Sequence, residues 1–138
     1  MNILLIKKED YSKVFPLIEQ YLEAAAKYTY GRYLAEDIKT GLLLQNQQLW
    51  IPYEGTDIYG FVVTQEIIYP QMKTLVMHFT AGKELPKWKN EMLAEIKYFA
   101  KLNGCNLLES YGRKGWAKVF KNDGYNTKFI FYELPVEN

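Results

Sequence analysis

The sequence predicts an α+β domain, a mixed and mostly antiparallel sheet with helices on both faces. Three observations carry that expectation. Between Gln48 and Thr80 three apolar, β-branched runs are joined by short turn-like connections, the pattern of an antiparallel meander. Two stretches of helical periodicity precede the meander and one follows it. Finally, Thr74 to Thr80, a helical stretch from Lys87 to Asn103, and Cys105 to Tyr111 make a strand–helix–strand crossover. Such a crossover pairs its two strands, the fourth and fifth of the chain, in parallel.

The elements follow in order. Asn2 to Lys7 is an apolar run of strand length. Asp10 and Ser12 then offer capping oxygens to a helix whose apolar stripe is Val14, Leu17, Ile18, Tyr21, Leu22 and Ala25, ending between Tyr28 and Gly31. Pro16 lacks an N–H, which places it in the first turn and starts the regular helix close to it. A second helix covers Leu34 to Leu43, with Leu34, Ile38 and Leu42 one turn apart. Strands at Gln48 to Tyr53, Ile58 to Ile68 and Thr74 to Thr80 are separated by turns at Glu54 to Asp57 and Tyr69 to Gln71. The helix after Pro86 buries Trp88, Met92, Ile96 and Phe99 and stops at Asn103-Gly104. A strand from Cys105 to Tyr111, a short helix on Trp116, Val119 and Phe120 ending at Gly124, and a strand from Lys128 to Leu134 complete the sheet.

At 138 residues, with 49% apolar and 16% aromatic side chains, the chain is expected to form one domain, residues 1–138, with a real core. A net charge of +1 with scattered charges argues against a nucleic-acid binder, which shows a basic stripe. The lone Cys105 excludes an internal disulfide and reads as a buried, inert thiol. No stretch has the length of a signal peptide or membrane span, so no membrane partner is expected. One His and one Cys make no metal site.

Chemistry gathers at the elbow Phe79-Thr-Ala-Gly-Lys-Glu-Leu-Pro-Lys-Trp88. A strand that opens through glycine onto a helix N-terminus holds phosphate in many folds, because free N–H groups and the helix dipole point there. Gly82 permits close backbone approach, and Lys83 and Lys87 add positive charge. Glu84 sets a carboxylate in the same place and Pro86 removes a donor. An ordinary strand-to-helix turn is the competing explanation. In Gly112-Arg-Lys-Gly-Trp116, the glycines permit a tight turn and Trp116 anchors a helix, while Arg113 and Lys114 are left for an anion or an acidic partner surface.

The order β-α-α-β-β-β-α-β-α-β resembles the acyltransferase fold of the GNAT superfamily over the whole chain. A narrower likeness rests on Leu49-Trp50, Gly60, Thr64, Tyr69-Pro70, Gly82 with Trp88, Gly104-Cys105, and the box from Gly112 to Gly124-Tyr125. These resemble small GNAT-like proteins of tailed-bacteriophage structural gene clusters. The superfamily likeness implies that CoA or acetyl-CoA would be held at the elbow, by Phe79, Ala81, Gly82, Lys83 and Lys87, with pantetheine in a splay between the two parallel strands. It also implies a base and an acid for acetyl transfer. His78, the only histidine, is the candidate base, and strand alternation groups it with Val76 and Thr80 against Leu75, Met77 and Phe79. A hydrogen-bonded core histidine is the alternative. Tyr111 is the candidate acid, and Glu66 and Glu109 read as solvated strand carboxylates.

Three readings result. The foremost is a non-catalytic GNAT-fold phage protein, in the virion or in its assembly, whose partners are other virion proteins or a host protein and which can be oligomeric. The second is a CoA-dependent N-acetyltransferase with a degenerate pyrophosphate loop. The third is a host-directed binding module acting in the host cytoplasm.

Overall fold

The computed structural model describes residues 1–111 and 123–136. Its elements are β1 (Asn2–Leu5), α1 (Tyr11–Lys27), α2 (Ala35–Leu44), β2 (Gln47–Glu54), β3 (Asp57–Ile58), β4 (Gly60–Ile68), β5 (Lys73–Gly82), α3 (Lys89–Leu102) and β6 (Leu107–Ser110). The sheet runs β1-β2-β4-β5-β6, with the two-residue β3 pairing β2 at Tyr53 and Glu54. Every pair is antiparallel except β5–β6, which is parallel across the α3 crossover. The mixed sheet of the expected fold class is therefore present.

Two cores cover the two faces. On one, Ile18 and Leu22 of α1 and Ile38 and Leu42 of α2 pack on Leu49, Ile51, Phe61, Val63 and Phe79. On the other, Trp88, Met92, Leu93 and Ile96 pack on Trp50, Val62, Leu75 and Met77. Simple alternation along β2 and β4 deals their residues to these faces in turn.

α1 begins five residues before Pro16, which sits inside the helix and not in its first turn. A 3₁₀ turn at Lys8–Asp10 leads into it, and Tyr11, Phe15, Ile18, Leu22 and Ala25 form the buried stripe. That stripe carries the helix through the proline, whose missing N–H removes a single ladder bond. Leu17 consequently faces solvent, and the Asp10 side chain makes no cap bond. Leu34 is exposed as well: it is the N-cap residue of α2, and its N–H is held by Asp37 Oδ2 at 2.8 Å. Ile38 and Leu42 bury as expected. Lys39 ties the helices together through Glu19 (2.6 Å) and Glu36 (2.8 Å).

The end of α3 shows how local sequence sets geometry. Gly104 takes φ +72, its N–H bonds the Lys101 carbonyl at 3.2 Å, and Cys105 N–H bonds the Ala100 carbonyl at 2.9 Å. This is the paired-bond glycine termination that Asn103-Gly104 predicts. It delays the start of β6 to Leu107 and leaves Cys105 half-buried in the connection, its thiol pKa pushed up by desolvation.

The α3 face contains a buried polar chain. Trp50 Nε1 donates to Thr64 Oγ1 (2.9 Å), which donates to Gln48 Oε1 (2.7 Å). Thr64→Val is expected to destabilise by about 1–3 kcal/mol in urea unfolding, because it strands the indole N–H and the amide oxygen without partners.

Three expectations are corrected. The strand from Ile58 is interrupted at Tyr59, whose N–H bonds the Pro52 carbonyl at 2.9 Å. Glu66 and Glu109 are not solvated: Glu66 is paired with Lys73 at 3.1 Å, and Glu109 accepts from Tyr69 Oη at 3.1 Å and from the Thr74 hydroxyl. Lys128 to Leu134 pairs with no strand among the described residues and is exposed throughout. Its β-branched and aromatic composition favours a strand, but a strand exists only when a neighbour takes its backbone donors and acceptors. Here the segment is held by side chains instead. Arg32 bonds Glu133 Oε2 at 2.7 Å and lies 5.2 Å from the centre of the Phe131 ring. The short helix expected around Trp116, with Arg113 and Lys114, lies outside the described residues.

Candidate functional site

β5 is irregular where it matters. Along β4 and β5, Val63 pairs with Phe79 but Thr64 pairs with Met77, so His78 is an extra residue with no cross-strand partner. This one-residue bulge breaks the alternation expected from the sequence. Leu75 and Met77 face α3, whereas Phe79 faces α1 and α2. His78 is on that second side too, its ring 4.2 Å from Phe79 and 5.8 Å from Tyr33 (centroid distances). Thr80, expected beside His78, lies on the α3 side with Val62 and Trp88.

The parallel ladder stops at the same point. β5 and β6 pair from Thr74–Leu107 to Met77–Ser110, and from His78 to Gly82 that edge of β5 has no ladder partner among the described residues. The described ladder therefore ends where the bulge begins. An open strand edge accepts an extended ligand whose amides take the place of the missing strand.

A cavity of about 370 Å³ opens beside His78 on the α1/α2 face, walled by Arg32, Tyr33, Asp37, Thr40 and Gln45. The loop between the helices sets two of these. Thr29 Oγ1 donates to the Ala26 carbonyl (2.8 Å) and accepts from Tyr33 N–H (3.1 Å). Gly31 supplies the left-handed step, φ +83, that turns the chain between them. Arg32, Tyr33 and Asp37 escaped the sequence reading. The available signal was an aromatic Tyr30-Gly-Arg-Tyr33 stretch between two helices, which by itself specifies no chemistry.

Burial lowers the pKa of His78 from its ordinary value, so the imidazole is neutral with a free lone pair at pH 7. The sign for stability follows. The unfolded chain binds the proton more readily than the folded one, so this contribution is present above the unfolded value of about 6.5 and is lost as pH falls through the lower folded value. Urea midpoints are expected to fall below pH 6.5 in the wild type, with the His78-dependent part of that decline missing in His78→Gln.

The elbow keeps its shape but uses its donors internally. Lys83 N–H bonds the Tyr59 carbonyl (2.8 Å), Lys87 N–H the Glu84 carbonyl (2.9 Å) and Trp88 N–H the Leu85 carbonyl (3.1 Å). Gly82 is required by the neighbouring strand: a Cβ there would sit 2.4 Å from the Tyr59 carbonyl oxygen and 2.8 Å from Gly60 Cα. Lys83 and Lys87 converge on the Tyr59 ring, their Nζ atoms 4.8 and 5.7 Å from its centre. Glu84 pairs with Lys87 at 3.3 Å, and that carboxylate raises the lysine pKa. Two lysines thus stand together at the helix N-terminus, one of them shared with a carboxylate. Lysines in that position fit a diphosphate as point charges, whereas the backbone cradle is largely spent.

Phe79 and Ala81 lie along the open stretch of β5, Phe79 with its ring in the α1/α2 core. Tyr111, just after β6, is 72% exposed. A different tyrosine reaches the end of the described ladder: Tyr125 packs on the α3-side core with its Oη 3.4 Å from Met77 Sδ, and burial pushes its pKa up to about 12. Beside it, Asp123 pairs with Lys89 at 3.1 Å. The described residues contain no cluster able to hold a metal and no helix long and apolar enough to cross a membrane.

No protein-family model matches this chain, and no curated protein does. Solved structures do. A probable acetyltransferase superposes with a TM-score of 0.73 at 15% identity, over 100% of this chain and 99% of its own. An aminoglycoside acetyltransferase from an uncultured soil metagenomic sample, in complex with trehalose, gives 0.71 at 12% identity over 99% and 96%. The ribosomal-protein-alanine N-acetyltransferase of Brucella melitensis gives 0.69 at 13% identity over 99% and 100%. Identity this low carries architecture and not substrate. With its mixed sheet, parallel only at β5–β6, the chain has the GNAT acetyltransferase fold.

Proposed function

We propose that this protein is a CoA-dependent N-acyltransferase with a degenerate pyrophosphate loop. The observation that carries the reading is the coincidence of three features at one point of β5: the bulge at His78, the end of the β5–β6 ladder, and a cavity on the histidine's side. Acetyl-CoA, when bound, supplies the acyl group and the thiolate leaving group. The edge of β5 from His78 to Gly82 receives the amide-bearing arm, and Lys83 and Lys87 neutralise the diphosphate. His78 takes one proton from the acceptor ammonium, freeing the lone pair that forms the new C–N bond as the C–S bond breaks, and the nitrogen's second proton passes to the departing thiolate. Tyr125, protonated at all ordinary pH values, stands at the end of the described ladder as a hydrogen-bond donor to the departing sulfur. The likeness to acetyltransferase structures supports the reading.

Calorimetry with acetyl-CoA, paired with thiol release in the presence of amines, tests it. Binding is expected, and Lys83→Glu is expected to weaken it about 10- to 100-fold, the worth of one charge-assisted contact. Gly82→Glu is unsuitable as a control because the glycine is a packing requirement. Absence of heat at millimolar acetyl-CoA together with absence of thiol release would contradict the proposal.

One observation favours a second reading. The elbow's internal hydrogen bonds and its Glu84 suit a fold that no longer handles acyl-CoA and works as a binding module. The phage virion or assembly role suggested by the Gly112–Tyr125 box belongs to this reading, and the similar structures give it no support.

A further inference from the structure

The C-terminal segment and the sheet edge have complementary deficits. From Phe129 to Val136 the chain exposes Phe129, Ile130, Phe131, Tyr132, Leu134 and Val136, each at least 70% accessible. In an extended chain these alternate, Phe129 and Phe131 to one side and Ile130, Tyr132, Leu134 and Val136 to the other. A run apolar on both sides is the pattern of a strand covered on both faces, not of a surface strand. This molecule's sheet is covered on both faces, by α1 and α2 and by α3. Among the described residues that sheet ends at β6, whose outer edge is unpaired and whose flanking Leu107 and Tyr111 are exposed. The chain's own segment does not lie there, because Arg32 holds Phe131 and Glu133 at the α1–α2 loop.

We infer that two copies of this chain associate by strand exchange: residues 128–134 of each pair along the β6 edge of the other. A second copy is the fitting occupant because edge and strand belong to the same chain, so a two-fold exchange satisfies both at once and closes. The area suffices. Three aromatic and two aliphatic side chains of 128–134 bury roughly 800 Å² per copy, and the reciprocal pair reaches the size of a standard stable interface. The Arg32–Glu133 pair does not oppose the exchange strongly, since both side chains are about half exposed and such pairs contribute little.

The test combines sedimentation of the full chain, from nanomolar to near-millimolar concentration, with hydrogen exchange. The inference expects a dimer, slow exchange of the amides of residues 128–134 and 107–110, and a monomer with intact near-ultraviolet circular dichroism for Ile130→Pro, which removes a ladder donor. A monomer at every concentration overturns it, and so does a dimer in which 128–134 exchange freely. Isotope-filtered NMR on a mixture of labelled and unlabelled wild type decides independently of the variant. Contacts between 107–110 of one copy and 128–134 of the other are expected, and contacts confined within one copy overturn the exchange.

Discussion

Trp88→Ala is expected to lower the unfolding free energy by about 3–5 kcal/mol, the cost of a large cavity where a buried tryptophan stood. Trp88 is 1% exposed and forms the centre of the α3-side core with Val62, Met77, Met92 and Leu93. It also joins the elbow to that core: its Nε1 donates to the Lys83 carbonyl at 3.0 Å, and its ring lies against Gly82. The substitution therefore removes apolar contact and leaves a carbonyl without its donor. Trp88→Phe keeps most of the contact and is expected to cost about 1–3 kcal/mol, chiefly the lost bond. Urea unfolding followed by far-ultraviolet circular dichroism measures both. A loss under about 1.5 kcal/mol for the alanine variant would show that the ring is not the anchor of the elbow.

The second large effect is catalytic. His78→Gln is expected to reduce kcat/KM for amine acetylation by about 10²–10⁴-fold, the usual contribution of a positioned general base. Stability at neutral pH is expected to change little, because His78 is at a bulge on a cavity wall and not within either core. The wild-type rate should fall on the acid side as the imidazole protonates, at a pH lower than a free histidine's because burial lowers this pKa, and that limb should be missing from the residual activity of the variant. Wild-type-like rates in His78→Gln would return the histidine to a packing role.

Much of the fold was legible because its signals are local. Helical spacing in Val14 to Ala25, the Asn103-Gly104 stop, the Gly55 turn and the α3 crossover are each written in a few neighbouring residues. Misreadings arose where a distant partner decides. Pro16 was taken for a helix start because the Tyr11–Phe15 stripe that overrides it becomes visible only once a core exists. Lys128 to Leu134 has strand composition, yet composition supplies no neighbour to pair with. The site was less legible than the fold. His78 and the elbow stand out as candidates, since a lone histidine on a central strand and a glycine before a helix are conspicuous. The bulge is not: a one-residue slip between Val63–Phe79 and Thr64–Met77 leaves no mark in the sequence of β5, and it reverses the faces of Phe79 and Thr80 relative to His78. Gly82 permits close backbone approach to a phosphate or an ordinary strand-to-helix turn, and the sequence does not show that its packing against Tyr59 and Gly60 requires glycine there in either case. Tyr125, passed over in favour of Tyr111, depends on the chain returning to Met77 from 48 positions away.

Hydrogen exchange on β5, with and without saturating acetyl-CoA, tests the central claim most directly. If the thioester's arm pairs with the edge of β5 beyond Met77, the amides of residues 78–82 slow on ligand addition while those of 73–77, in the stretch paired to β6, do not change. Identical exchange across β5 in the presence and absence of the ligand would contradict it.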